Sequence, residues 1–444
     1  MANISYFKKI LSIDIGTSSV RACLFDGDGE MLPRTLVKIV HSPTMASDGS
    51  VEFDAVELLS RVEDVINKVT AKTKFAIDAV AMCAFWHGLV GVDGKGKPTT
   101  PVLTWADTRS REYTTLLKER FNERVVHNRT GAHFHSSFWP AKLLWLRNEQ
   151  PDVWKRTARW LSFSDLVAER LFGECVTSIS MASATGVFDQ RKCDWDMELL
   201  RYLKVKRSQL PRVATDGETY RLSRKYARRW PTLANSAWFP AVGDGAADNL
   251  GSDCSTKNKA ALMVGTSAAM RVAFVGKVPR RIPEGLWCYR IDSTRVIVGG
   301  ALSDGGNLYA LIKKRFGLKG DLENELSRRE TPDGLVVIPF FHGERSTGYD
   351  ENARGAIIGL IAEHDGIDVL RAAMEGVAFR LADIYERLSS LTDITEIVAS
   401  GGALHQSPTW TQIIADTLGH SLTLNDTDES SLCGAAVYGQ QMMP

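Results

Sequence analysis

An α/β fold in two related lobes is what this sequence predicts, and three observations carry the prediction. First, Ile10 to Met31 reads as two strands around a polar turn, Asp14-Ile15-Gly16-Thr17-Ser18-Ser19, and Ala261 to Val272 repeats that layout as strand, Gly265-Thr266-Ser267, strand. Second, apolar runs repeatedly end in glycine and pass into helix-period sequence, the alternation of an α/β chain. Third, 444 residues are too many for one ordinary core and suit two domains of about 200 residues each. The sequence changes character after Trp238-Phe239-Pro240, so the expected division is 1–240 and 241–444.

The first turn sets the chemistry to look for. Gly16 to Ser19 offer backbone N–H groups and three hydroxyls at a bend, which can cradle phosphate. Asp14, ending the first strand, would face the same space and bind a magnesium ion through its water shell. The alternative is an ordinary hairpin whose Ser and Thr satisfy the turn. The echo at Gly265 favours the first reading, because two phosphate-type turns point to two lobes closing on one nucleotide.

Asp48 to Asp54 then reads as a polar lead into a helix with the stripe Leu58, Val62, Val65, Val69. Ile77 to Ala84 is a buried strand running into Phe85-Trp86-His87-Gly88, and a strand end is where open α/β sheets place ligands. Gly91 to Pro98 nearly matches a P-loop but has Pro98 where Ser or Thr should hold magnesium, so a hairpin turn is expected. In Leu103 to Arg111 a strand end turns into a helix, and its Trp, Asp and Arg can give a sugar a stacking face, a hydroxyl acceptor and a donor fork. Residues 131 to 189 are dense in aromatics and read mainly as packing, while Ser180 to Gly186 is small and hydroxylated. The basic run Arg221 to Arg229 reads as a solvated helix face.

Beyond residue 240, Gly243-Asp244-Gly245 places a carboxylate between glycines, open to a ligand and equally suited to starting a helix. Arg295 to Leu302 is a strand leading into Ser303-Asp304-Gly305-Gly306-Asn307 and a helix, and Leu335 to Ile338 leads into Pro339 to Arg345. A helix from about Ile367 to Leu388 carries the stripe Leu370, Met374, Val377, Leu381, Ile384. Ile397 to Ser400 ends at Gly401-Gly402-Ala403. Such junctions let a flat base lie against backbone and present helix N-termini to phosphate.

Composition excludes several classes. A net charge of +1 gives no electrostatic case for nucleic acid or an acidic membrane surface. The 44% hydrophobic and 24% charged content is that of a soluble globular protein. Seven Cys, an odd number with no C-x-x-C pair, favour reduced thiols in a cytoplasm. Lys8 and Lys9 precede an apolar run that Asp14 interrupts, so no signal peptide is expected, and no apolar run is long enough to span a bilayer.

With these pieces in order, the sequence resembles the FGGY carbohydrate kinases of the sugar kinase, Hsp70 and actin superfamily. The resemblance rests on the Asp14 hairpin, Trp86-His87-Gly88, Trp105 to Arg109, Gly243-Asp244, Gly265-Thr266-Ser267, Gly343-Glu344-Arg345 with Ala353-Arg354-Gly355, and Ser400-Gly401-Gly402-Ala403, in that collinear order. It implies two ribonuclease-H-like (actin-like ATPase) domains, the first on the sugar side and the second on the nucleotide side, with the active site in the interdomain cleft. It also implies ATP and Mg2+, a sugar or sugar-acid substrate, and transfer of the γ-phosphate to a sugar hydroxyl.

Carried over by position, Asp244 is implied as the general base and Asp14 as the organiser of magnesium. Thr17, Ser18, Gly265 and Thr266 fall at the phosphates, and Gly305, Tyr309, Gly402 and Gln406 at the nucleoside. His87, Gly88, Trp105, Asp107 and Arg109 fall at the sugar. Thr104 to Arg109, Ser180 to Gly186 and Thr266 to Val272 are most similar to the gluconate kinase branch. An aldonate carboxylate then needs a cation, for which Arg109, Arg111 and Lys142 are candidates. Trp86-His87-Gly88 is nearer the Met-His-Gly of xylulose kinases, so a ketose or polyol is the alternative substrate. A catalytically silent sugar- and nucleotide-binding regulator on the same fold is the alternative function, against which the two retained carboxylates argue. An actin- or Hsp70-like assembly ATPase would leave the sugar-side residues unexplained. The family also leaves a homodimer open, and the chain stops soon after Gly434-Ala435-Ala436, where relatives usually carry a further helical segment.

Overall fold

The computed structural model describes residues 9–330, 333–425 and 429–442. Its framework is two six-stranded sheets. In the first, β1 (Lys9–Ile15) lies antiparallel to β2 (Ser19–Asp26), which lies antiparallel to β3 (Val37–Val40). On its other side β1 runs parallel to β4 (Ala79–Ala84), and β4 takes the short β5 (Ala237–Trp238) and β6 (Val242–Gly243) in parallel.

The second sheet repeats this plan. β7 (Lys259–Val264) pairs antiparallel with β8 (Ala268–Val275), and β8 antiparallel with β10 (Arg295–Leu302), which carries an added edge strand, β9 (Trp287–Arg290). β7 also runs parallel to β11 (Glu396–Ser400), and β11 parallel to β12 (Leu422–Leu424). With β9 set aside, strand order and pairing direction are the same in both sheets, so the echo between the Gly16 and Gly265 turns is an echo of whole lobes. This is the duplicated architecture the sequence predicts.

Burial explains the apolar runs. Every residue of β4 and β10 is buried, as expected of strands covered on both faces. The helix α1 (Ala55–Ala71) begins where the Asp54 side chain accepts the Val56 and Glu57 amides, and it buries the stripe Leu58, Val62, Val65, Val69. The segment read as a polar lead differs in part: Val51–Phe53 is a strand paired with Val102–Leu103, too short for its alternation to show in sequence. Asp93 to Lys97 closes as a turn, with the Asp93 amide on the Lys97 carbonyl at 2.9 Å, consistent with the failed P-loop match. The basic run forms the helix Arg224–Arg229, whose Arg229 pairs with Glu63.

The chain crosses between lobes at a place that bears on the site. The helix α2 (Asp244–Gly251) packs on the C-terminal helix α7 (Ser430–Gln441), and both contribute to the first core, through Ala246, Ala247, Leu250, Leu432 and Ala435. The second core is built around α4 (Gly366–Ser389) with the stripe Leu370, Met374, Val377, Leu381, Ile384, as the spacing predicts. α3 (Gly306–Arg315), α5 (Gly402–Gln406) and α6 (Pro408–Leu418) complete that lobe. Packing therefore crosses the 1–240 and 241–444 division: residues from both ends of the second half lie in the first core. Among the described residues no helix is long and apolar enough to cross a membrane.

Candidate active site

Asp244 is the first residue of α2, and Gly243 is its N-cap. One carboxylate oxygen accepts the Gly245 amide at 2.8 Å, and the half-buried side chain lines a cavity of about 990 Å³ between the lobes. Burial pushes its pKa up to about 6; nearby Asp14 and Asp248 push the same way, while the Gly245 amide and Arg271 oppose. A carboxylate so raised is poised to hold and release a proton near neutral pH.

The backbone around it is fixed by Trp86. A Cβ on Gly243 or Gly245 would overlap the Trp86 indole, so both glycines are there to admit the ring. Trp86 Nε1 donates to the Ser180 carbonyl at 3.3 Å, and Ser180 Oγ accepts the Gly243 amide at 3.0 Å. The small hydroxylated segment at Ser180 thus supports the strand that delivers Asp244. Arg271, 5% exposed and on the cavity wall, pairs with Asp248 on the next turn of α2, and Ser430 of α7 donates to that same Asp248.

Asp14 sits behind the wall. It is 2% exposed, bound by Arg21, by Ser431 Oγ at 2.9 Å and by the Cys83 thiol at 3.3 Å. Among the described residues no cluster of three or more His, Cys, Asp or Glu forms a metal cage.

Thr17 and Ser18 line the cavity from the first lobe, and Thr266 and Ser267 from the second. Gly265 supports its turn from behind: the Gly306 amide donates to the Gly265 carbonyl at 2.7 Å and the Asn307 amide to the Thr266 carbonyl at 3.0 Å. The expectation of a free helix N-terminus is therefore not met at this junction, since the first amides of α3 bind the neighbouring turn. Gly305 is required by that contact, because a Cβ there would come within 2.7 Å of Ser267 backbone. Tyr309 stacks on Trp410 with centroids 6.0 Å apart, and Gly402 and Gln406 lie on α5, all three outside the cavity lining.

On the wall expected to meet the sugar, His87 holds a positive φ of 68° and its Nδ1 donates to the Ala184 carbonyl at 2.7 Å. The ring Nε2 is then an acceptor, and burial, aided by Arg345, holds the imidazole pKa well below its usual range. Trp105 lines the cavity beside His87. Gly88 does not; it admits the Phe85 ring, and its carbonyl accepts Trp139 Nε1 at 3.1 Å. Asp107 and Arg109 also lie off the cavity wall. They bind each other at 2.6 Å, and Arg109 reaches Glu52 as well. The structure thus brings Thr17, Ser18, His87, Trp105, Arg111, Asp244 and Thr266 onto one cavity and sets the remaining candidates behind or beside it.

Sequence reasoning assigned no role to Arg271, Asn307 or Arg345, all on the cavity wall. For Arg345 a signal was present, since Gly343-Glu344-Arg345 follows a strand end; for Arg271 it was the Arg in the strand after the repeated Gly-Thr-Ser turn.

Comparison with known proteins agrees with this geometry. Residues 9–251 match the FGGY family of carbohydrate kinases, N-terminal domain, and residues 260–442 match the C-terminal domain. A gluconokinase of Bacillus subtilis (strain 168) is 27% identical over 97% of this chain and 86% of its own. The crystal structure of a gluconate kinase from Lactobacillus acidophilus superposes with a TM-score of 0.89 at 26% identity, covering 98% of this chain and 89% of that one. A ligand-bound xylulose kinase from the same organism superposes with a TM-score of 0.90, also at 26% identity and with the same coverage of both chains. With both halves matched and a carboxylate standing in the cleft between them, the chain belongs to the FGGY carbohydrate kinases, enzymes that use ATP to phosphorylate a sugar.

Proposed function

We propose that this kinase transfers the γ-phosphate of ATP to a hydroxyl of a sugar acid, with gluconate as the preferred substrate. The observation that carries the reading is Asp244, a carboxylate of raised proton affinity on the wall of a cavity lined from both lobes. It takes the proton of the attacking hydroxyl as the phosphoryl group arrives. Phosphoryl transfer asks the protein mainly for positioning and charge stabilisation, so one base in a closing cleft suffices.

Thr17, Ser18 and Thr266 supply hydroxyls to the phosphates, with Gly265 shaping the turn. Gly305, Tyr309, Gly402 and Gln406 form the nucleoside end. Asp14 is the carboxylate that would hold a magnesium ion through its water shell, and such an ion would supply neutralisation of the phosphate charge. His87 and Trp105 meet the sugar, while Gly88, Asp107 and Arg109 hold that wall in shape. Cysteines free of disulfides among the described residues favour a cytoplasmic setting, and neither nucleic acid nor a membrane is required.

Gluconate is favoured by the gluconokinase relatives named above. A neutral ketose such as xylulose is the second reading, supported by the uncharged His87 acceptor and by the xylulose kinase likeness. A coupled ADP-release assay over gluconate, xylulose, ribulose and glycerol decides between them. Gluconate-dependent ADP release is the expected result. ATP binding with no sugar-dependent ADP release across the panel would instead support a silent regulator.

A further inference from the structure

The sugar end of the cavity holds a buried cation without a counterion. Arg345 is 7% exposed, lines the cavity, and lies over the Trp105 ring with its guanidinium carbon 4.8 Å from the centroid. Its Nε is buried without a hydrogen-bond partner, and no ion pair involves it among the described residues. The nearby carboxylates are engaged elsewhere. Glu344 accepts from Arg380 at 2.7 Å and from the Gly348 amide at 3.1 Å; Glu351 accepts from Ser136 Oγ at 2.9 Å.

The cations that the sequence offers for a substrate carboxylate each already have a partner in the fold. Arg109 is bound by Asp107 and Glu52 and rests on Trp145 at 4.7 Å. Lys142 donates to the Ser137 carbonyl at 2.6 Å. Arg111 reaches the cavity wall, but it pairs with Glu112 at 3.3 Å and its side chain is 46% exposed, whereas Arg345 is buried and has no ion pair among the described residues.

We propose that Arg345, braced on Trp105, is the receptor for the carboxylate of the sugar-acid substrate. A buried charge is ordinarily paired within the fold, because removing it from water without a partner is costly. A guanidinium left unpaired on a cavity wall is completed by an anion that arrives with the ligand. Its planar fork matches a carboxylate through two parallel N–H···O bonds, and the indole beneath fixes the plane of the fork. In a linear sugar acid the carboxylate and the terminal hydroxyl stand at opposite ends. Anchoring the first on Arg345 leaves the chain to run past the His87 Nε2 acceptor and present the second to Asp244, which lines the same cavity. The proposal rests on the sugar-acid reading above.

The test compares gluconate with gluconamide, which keeps every hydroxyl and lacks the anionic oxygen pair, in wild type, Arg345→Gln and Arg345→Lys. Wild type is expected to favour gluconate in kcat/KM by about 100-fold, the scale of a charge-assisted pair. In Arg345→Gln that preference collapses to within about threefold of unity, chiefly through KM for gluconate. Retention of the wild-type preference in Arg345→Gln overturns the assignment and leaves the sugar-acid reading standing. Wild-type turnover of xylulose or glycerol with none of gluconate overturns both. Should Arg345→Gln lack a thermal unfolding transition, Arg345→Lys decides: a preference reduced roughly tenfold by loss of the fork supports the assignment, and an unchanged one overturns it.

Discussion

The Trp86 indole lies directly against the backbone of Gly243, leaving no room for a Cβ at the residue that precedes Asp244, the proposed base. One contact thereby couples the sugar-side wall to the position of Asp244. Gly243→Ala must displace either the ring or the start of α2. We expect destabilisation of about 1–3 kcal/mol from overpacking, and a fall in kcat of roughly 10²-fold from misplacement of the base. Thermal unfolding and steady-state kinetics on the same preparation check both. Wild-type kcat in Gly243→Ala would show that the contact does not position Asp244.

The pKa of Asp244, the proposed base, is pushed up to about 6, and a base must be ionised to work. The rate in kcat/KM should therefore fall tenfold per pH unit below about pH 6, with a single acid limb set by Asp244 in the free enzyme. Asp244→Asn should lower kcat by roughly 10²-fold or more and abolish that limb, while ATP still binds. Calorimetric titration with ATP separates loss of chemistry from loss of the nucleotide site. An unshifted limb in the residual activity of the variant would assign the titration to another group.

The same shift has a consequence for stability, with its sign fixed by linkage. Asp244 has a higher pKa folded than unfolded, so the folded state binds the extra proton between about pH 4 and pH 6. The charged carboxylate therefore costs stability above about pH 6, and this cost is relieved as the pH falls through that window. Asp244→Asn should be more stable than wild type at pH 8, by roughly 1–3 kcal/mol, and indistinguishable from it near pH 3.5. Denaturant unfolding at the two pH values measures it; equal stabilities at pH 8 would contradict the burial cost.

Much of this was legible in sequence, for identifiable physical reasons. The doubled lobe announced itself because both hairpins place glycine and hydroxyl residues between strands buried on both faces, a pattern periodicity reveals. Asp244 was legible because its glycine neighbours are a local signature of close approach, although the ring they admit lies 157 residues away and could not be named from spacing. Arg109 and Arg345 look equally plausible as cations in a linear string. Only the fold distinguishes them, by giving Arg109 the partners Asp107 and Glu52 and leaving Arg345, among the described residues, without an ion-pair partner. The helix N-terminus at Gly306 misled for a related reason: its amides are claimed by the Gly265 turn, a tertiary contact with no trace in local sequence.

Arg21 ties the first hairpin to the C-terminal helix, and its removal should expose what that tie holds. Its guanidinium binds Asp14 on β1, Glu429 just before α7, and Ser431 Oγ at 3.0 Å within α7. Arg21→Met strands Asp14, 2% exposed, among groups that include the Cys83 thiol and give it no cation. Breaking a buried pair from one side typically costs about 3–5 kcal/mol. Arg21→Met/Asp14→Asn removes both charges and should recover most of the stability, though not the activity if Asp14 orders the metal's water shell. Unfolding midpoints of the two variants and of wild type at pH 8 provide the measurement. A loss below about 0.5 kcal/mol in Arg21→Met, of the size seen for exposed pairs, would mean that water reaches Asp14 and that this linkage is peripheral to the site.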